Sequence, residues 1–86
     1  MKIIKIGAIW CPTCLIMREV WEKIQKKYPQ LIIEDCDIDE HPERKEQYQI
    51  IEYPTYLFVN DQDQELERLS GDVDEREILI RINKYL

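Results

Sequence analysis

The sequence predicts an α/β fold in the order β-α-β-α-β-β-α: a four-stranded mixed sheet flanked by three helices, within a single domain spanning residues 1–86. Three observations predict it. Residues 2 to 8 form a β-branched, apolar run with little alternation, the pattern of a strand buried on both faces. After Cys11 the apolar period changes to three or four, and in the C-terminal half an apolar stretch, Thr55 to Val59, and an alternating one, Glu65 to Leu69, flank the polar turn Asn60-Asp61-Gln62-Asp63. The chain is 44% apolar and 35% charged, a globular balance that argues against disorder. At 86 residues it buries only about 60 to 65% of its unfolded surface, so modest stability is expected.

Each element follows from local pattern. Cys14, Met17, Val20 or Trp21, Ile24 and Tyr28 share one helical face, predicting a helix of about four turns that Pro29 stops. Its outer face carries Arg18, Glu22, Lys26 and Lys27. Leu31 to Ile38 reads as a second strand, and Pro42 suits the first turn of a short helix that ends near Tyr48. The strand-helix-strand alternation implies a parallel pair with a right-handed crossover. Thr55 to Val59 and Glu65 to Leu69 read as a hairpin, the second an exposed edge strand. Gly71 breaks the chain before a last helix from about Asp74, with Ile78, Ile82 and Leu86 expected inward.

Charge narrows the partners. The net charge is −6; residues 1–28 hold six Lys/Arg against two Glu, whereas residues 29–86 hold six against sixteen acidic residues. That balance repels phosphate backbones, and no basic stripe with interleaved aromatics is present, so nucleic acid is not expected as a partner. At the N-terminus Lys5 interrupts the apolar run and no small-residue cleavage site follows, which argues against a signal peptide. No segment has the length of a membrane span, so no membrane association is expected. Three cysteines, an odd number, disfavour a fully bridged secreted scaffold; a cytoplasmic monomer is expected.

Cys11 and Cys14, spaced C-x₂-C where the first strand turns into the helix, admit three uses: metal ligands, a structural clasp or a redox pair. If Cys11 caps the helix, its sulfur sits beside unpaired N–H groups at the positive end of the dipole, which favours thiolate by roughly 0.3 to 1 kcal/mol. Stronger stabilisation requires a direct donor, and the Thr13 hydroxyl is a candidate. Pro12 suits the first helical position, where its missing N–H costs nothing. Cys14 lies one turn on and on the same side, so the two sulfurs can close a short disulfide loop. Exchange through this pair makes Cys11 the nucleophile, taken as exposed at the helix tip, and Cys14 the inward-facing thiol that resolves the mixed disulfide. The competing metal reading adds Cys36 and His41 to the pair, a Cys₃His set with spacing C-x₂-C-x₂₁-C-x₄-H. Zinc clasps favour polar, glycine-rich turns, whereas this pair lies between a buried strand and a long helix. Cys36, mid-strand, reads as a buried small hydrophobe, and His41 as a surface residue at a helix start.

These residues resemble the thioredoxin family. Trp10-Cys11-Pro12-Thr13-Cys14 is similar to its tryptophan-led active-site motif, and Tyr53-Pro54-Thr55 to its second signature, a cis-proline followed by threonine at the start of a strand. Ile38-Asp39, Pro42, Tyr48 and Ile50 align without a gap, and Gly71 matches a glycine before the last helix. The resemblance implies a thioredoxin fold without its usual N-terminal strand and helix, a core of glutaredoxin size. It implies that Pro54 is cis and packs against the cysteine pair, and that Tyr53 backbone groups pair with an extended substrate segment. It further implies an apolar rim of Trp10, Tyr53, Pro54 and Val73, with Pro12 and Thr13 beside it; simple core packing is the competing role for Trp10.

Two departures stand out. Where thioredoxins usually carry a buried acid six positions before the first cysteine, this chain has Lys5, and where they carry a facing lysine it has Asp35. If the two meet beneath Cys14, the Asp35 carboxylate becomes the acceptor of the resolving thiol's proton; the competing reading is a structural ion pair or two solvated groups. Pro12-Thr13 also replaces the usual Gly-Pro, a pair of positions tied to redox poise. The function expected is reduction of protein disulfides, with no cofactor of its own and recharging by an external thiol reductase. A glutaredoxin-like, glutathione-dependent reductase is the alternative; a non-catalytic or zinc-stabilised binding module is a more distant one. Glu52 and Asp72 are expected to bring negative charge near the site and favour basic or neutral substrate segments.

Overall fold

A computed structural model describes residues 1–86. Its elements are β1 (Lys2–Gly7), α1 (Pro12–Ile16), α2 (Arg18–Lys27), β2 (Ile32–Asp37), α3 (Glu43–Gln47), β3 (Thr55–Val59), β4 (Glu65–Ser70) and α4 (Glu75–Tyr85). The strands form one mixed sheet in the order β2-β1-β3-β4, with β1 parallel to β2 and antiparallel to β3, and β4 antiparallel to β3 at one edge. β1 and β3 are interior strands, which explains their unalternating apolar sequences. Ile3, Ile4 and Ile6 have no exposed surface, and all five residues of β3 are buried.

The sheet separates two apolar clusters. On one face Ile3, Tyr56 and Phe58 pack with Met17, Trp21 and Ile24 and with Ile78 and Ile82 of α4. On the other, Ile4, Ile6, Leu57 and Val59 pack with Cys36, Ile38, Tyr48 and Ile50. Period-2 geometry alone sorts these side chains, because neighbouring residues of a strand point to opposite faces.

The single four-turn helix expected after Cys11 is two segments, broken at Met17 (φ −75°, ψ −8°). The Met17 N–H still donates to the Thr13 carbonyl at 3.0 Å, so the chain keeps its course while ψ departs from the helical value near −42°. The two segments serve different surfaces: α1 buries none of its residues, whereas α2 buries Trp21 and Ile24. Together α1 and α2 make the first of the three helices that flank the sheet, as expected. A second correction concerns α4. Asp74 caps it by accepting the Arg76 N–H, and Ile78 and Ile82 face inward, but Leu86 is 69% exposed because the chain leaves the helix there, beyond the sheet-facing stripe.

Gly71 (φ +79°) occupies a backbone region costly for side-chain-bearing residues. Its N–H donates to the Pro54 carbonyl at 2.8 Å, which ties the turn before α4 to the start of β3.

The buried central strand and the exposed edge are expected to respond differently to truncation. Leu57→Ala, at a position with no exposed surface, should lower unfolding free energy by about 2 to 5 kcal/mol, and Leu66→Ala, at an exposed edge position, by under about 1 kcal/mol. Urea titration of the two variants checks this.

Candidate active site

The site forms where β1 ends and α1 begins. The Cys11 N–H donates to the Ala8 carbonyl at 3.2 Å, and Cys11 stays extended (φ −95°, ψ 110°) as the N-cap of α1, with Pro12 in the first turn. Its Sγ accepts the backbone N–H of Cys14 at 3.2 Å. The donor to Cys11 is therefore a main-chain amide and not the Thr13 hydroxyl, because an extended N-cap aims its side chain back at the N–H groups of the first turn.

Cys14 turns toward the sheet. A Cβ built on Gly7 would lie 3.0 Å from its Sγ, so the last residue of β1 has to be small for the sulfur to approach the strand. Burial, then the contact with Cys11, pushes the Cys14 thiol up to about 11. Both cysteines are free thiols. The exposures expected from sequence are reversed: Cys11 is only 6% exposed and Cys14 is the more open of the two. Cys11 packs in the cluster holding Ala8 and Ile38, against which Tyr53 also rests, so its sulfur is reached through a groove and does not stand at an open tip.

That groove, about 560 Å³, runs past Trp10, Cys11, Pro12 and Pro54 to Cys14 and on to Trp21, Tyr56, Lys5 and Asp35. Pro54 is buried, and its peptide bond with Tyr53 is cis. The Thr55 hydroxyl donates to the Glu52 carbonyl at 2.7 Å and lies 3.2 Å from the Ser70 hydroxyl, fixing the strand start beside Pro54. Thr13 is half-buried on α1.

Trp10 is not a core residue. It is 57% exposed, meets Tyr53 edge to face with centroids 5.4 Å apart, and donates its indole N–H to Asp39 Oδ2 at 2.9 Å. Asp39 is a site residue that sequence reasoning missed as such. The detectable signal was the Asp37-Ile38-Asp39 turn, in which Asp37 Oδ1 accepts the Asp39 N–H at 2.9 Å. Val73 instead packs half-buried against the cluster around α2 and α4, while Glu52 and Asp72 are exposed.

Lys5 and Asp35 are register partners on β1 and β2, and their side chains meet at 3.0 Å. Lys5 is largely buried and passes 5.5 Å from the Trp21 ring centroid, whereas the Asp35 side chain is 83% exposed. The pair lines the groove with its carboxylate in water, because β2 is a sheet edge; it is not a buried ion pair.

The four candidate zinc ligands are not assembled. Cys36 is buried on β2 opposite Ile6, its thiol pushed up by burial, and the exposed His41 lies 3.4 Å from Glu43. No three His, Cys, Asp or Glu side chains are grouped to hold an ion.

A dithiol joined to one helical turn, set at the end of an interior strand and faced by the residues that open β3, is the arrangement of a thioredoxin fold with its C-x₂-C pair at the strand-to-helix turn. The Thioredoxin family profile matches residues 1–84, and the chain belongs to the thioredoxin family. It is similar to thioredoxin H5 of Oryza sativa subsp. japonica, 32% identical over 69 residues, which are 80% of this chain and 50% of that protein. The thioredoxin of Chlamydia caviae is 29% identical over 85 residues, 99% of this chain and 82% of that protein. Among solved structures, thioredoxin NaTrxh from Nicotiana alata superposes with a TM-score of 0.86 at 27% identity, covering 95% of this chain and 70% of that one. The chain thus spans half the length of the rice relative.

Two outcomes are expected from this geometry. Gly7→Ala should force the Cys14 sulfur to move by a few tenths of an ångström and slow closure of the Cys11–Cys14 disulfide severalfold, with Cys11 alkylation unchanged; oxidation and alkylation time courses measure both. A Cys14 thiol held near 11 against an ordinary 9.0 binds its proton more tightly in the native chain than in the unfolded one. That contribution is fully present below pH 9 and disappears as pH rises through 11, so the reduced protein should lose stability across that window in denaturant titrations.

Proposed function

We propose that the chain reduces disulfide bonds of protein substrates by dithiol exchange, with Cys11 attacking and Cys14 resolving. One observation carries this reading: the Cys14 N–H donates to Cys11 Sγ at 3.2 Å while the Cys14 thiol itself is pushed up to about 11. One sulfur is provided with a donor suited to an anion; its neighbour is held back as a thiol.

In the first step the Cys11 thiolate attacks one sulfur of a substrate disulfide, forming a mixed disulfide and releasing the other substrate sulfur as thiolate. In the second, Cys14 loses its proton and attacks Cys11 Sγ. The Cys11–Cys14 disulfide forms, the bond to substrate breaks, and the departing sulfur takes up a proton. The substrate gains two electrons and the protein loses two. An external thiol reductase returns them, and no cofactor of the chain's own takes part.

The groove supports binding of an extended segment: Trp10, Pro12 and Pro54 line it beside the sulfurs, Tyr53 packs edge to face on Trp10 and offers its main chain as the pairing edge, and Thr13 lies next to Pro12 as a further candidate contact. Our candidate proton acceptor for Cys14 is Asp35, a reading supported by its carboxylate lining the same groove at 3.0 Å from Lys5 Nζ, which orients it. No helix is long and apolar enough to cross a membrane. We place the protein in the cytoplasm as a monomer, a setting consistent with its three free thiols.

Thiol trapping tests the central claim. Cys14→Ser should accumulate mixed disulfides through Cys11, and Cys11→Ser should accumulate none; equal trapping by both variants would remove the assignment. Asp35→Asn should slow the second step about tenfold near neutral pH without changing Cys11 alkylation, read by single-turnover release of a peptide thiol. Recharging by a thioredoxin reductase is expected to exceed recharging by glutathione, and the reverse result would favour the glutathione-dependent alternative.

A further inference from the structure

Two buried polar atoms stand apart from the dithiol and its ion pair. The Tyr56 hydroxyl and the Trp21 indole nitrogen are sealed from solvent, on residues 1% and 3% exposed, and neither meets a protein partner in hydrogen-bond geometry. Such groups are uncommon in a packed interior, because each forfeits its bonds to water without replacement. Phenylalanine at position 56 would fill nearly the same space without that loss.

Their location gives the pair a use. Tyr56 lies in register with Lys5, which lies in register with Asp35, so one row across β2, β1 and β3 carries all three. Side chains of a row share a face, and the rings of Tyr56 and Trp21 meet at 4.8 Å between centroids. Tyr56 and Trp21 both line the groove that holds Cys14. Burial pushes the phenol up to about 12, while the Trp21 indole N–H beside it works in the opposite direction without completing a bond to it. The hydroxyl therefore keeps its proton through the working range of a thiol and acts as a donor. The other charged groups on this groove are Lys5, Arg18, Asp35 and Asp37.

We infer that Tyr56 serves the resolving step: its hydroxyl, backed by the Trp21 N–H, donates to the Cys14 sulfur when that sulfur becomes an anion. This rests on the dithiol-exchange reading above. Tyr56 keeps its own proton throughout; the proton that leaves Cys14 passes to solvent by way of Asp35, and the departing substrate sulfur regains one. In the resting dithiol the two donors lack an anion, and they gain one at the moment Cys14 must attack. A charge-assisted hydrogen bond of ordinary strength corresponds to one to two powers of ten in rate.

Tyr56→Phe, which deletes only the hydroxyl, tests this in the full chain. Release of a peptide thiol from the Cys11 mixed disulfide should slow on the order of tenfold or more, with its pH profile moved upward. Cys11 alkylation should keep its profile, and the melting temperature of the reduced protein should stay level or rise. Release within twofold of the parent at every pH overturns the inference. A substrate-free measurement guards against a folding defect: in a Cys11→Ser background, iodoacetamide should reach Cys14 at higher pH when Tyr56→Phe is present, and Trp21→Phe should move it in the same direction by less. Unchanged Cys14 reactivity in both variants also overturns it. Failure of the exchange reading itself has a different signature, the absence of any Cys11-linked mixed disulfide in the Cys14→Ser protein.

Discussion

The hydrogen bond from the Cys14 amide to Cys11 Sγ is the constraint around which the functional end of this protein is built. It exists only because Cys11 remains extended while Pro12 has already entered a helix, so that the sulfur folds back over the first turn. That change of conformation needs a firm anchor on its strand side. β1 supplies it as an interior strand paired on both edges, ending at a glycine against which the Cys14 sulfur rests. The same contact distinguishes the two thiols chemically: the amide serves Cys11, while burial keeps Cys14 protonated.

Around this junction the sheet distributes polar groups by register. Asp35, Lys5 and Tyr56 stand in one row, yet their surroundings grade from water at the β2 edge to complete burial at β3. The carboxylate stands at the solvated end of this row, and the phenol, pushed up by burial, at its sealed end. Thioredoxins place an acid where this chain has Lys5. Here the acid stands on the neighbouring strand and at the surface, so the polar row is reversed while the sheet is retained.

On the opposite side Trp10 lines the groove and Tyr53 packs edge to face on it, and the positions of both rings depend on distant segments. Trp10 is held by Asp39 from the turn after β2, and Tyr53 by the hydrogen bonds that fix the start of β3. The Gly71 N–H reaches the Pro54 carbonyl from the far side of the hairpin. Three chain segments therefore meet within one groove, and its apolar rim remains open although tryptophan side chains are usually buried for their area.

The elements were legible in the sequence because they rest on short-range physics: β-branched runs at residues 2–8 and Thr55 to Val59, the three-to-four period after Cys11, and the breaks at Pro29 and Gly71. The C-x₂-C spacing likewise determined that two sulfurs share one turn, and the ungapped match pointed to Lys5 and Asp35 as an exchanged pair, whose meeting at 3.0 Å the structure supplied. Other features required the tertiary structure. The break at Met17, the exposure of Leu86, the donor to Cys11, the greater burial of Cys11 and the separation of Cys36 and His41 from the dithiol all depend on which surface each segment meets. So do the placement of Asp39 under Trp10 and the orphaned atoms of Trp21 and Tyr56. Local pattern specifies which face of a helix or strand is apolar; burial, and with it the protonation state of a thiol or phenol, is set by residues far away in the chain.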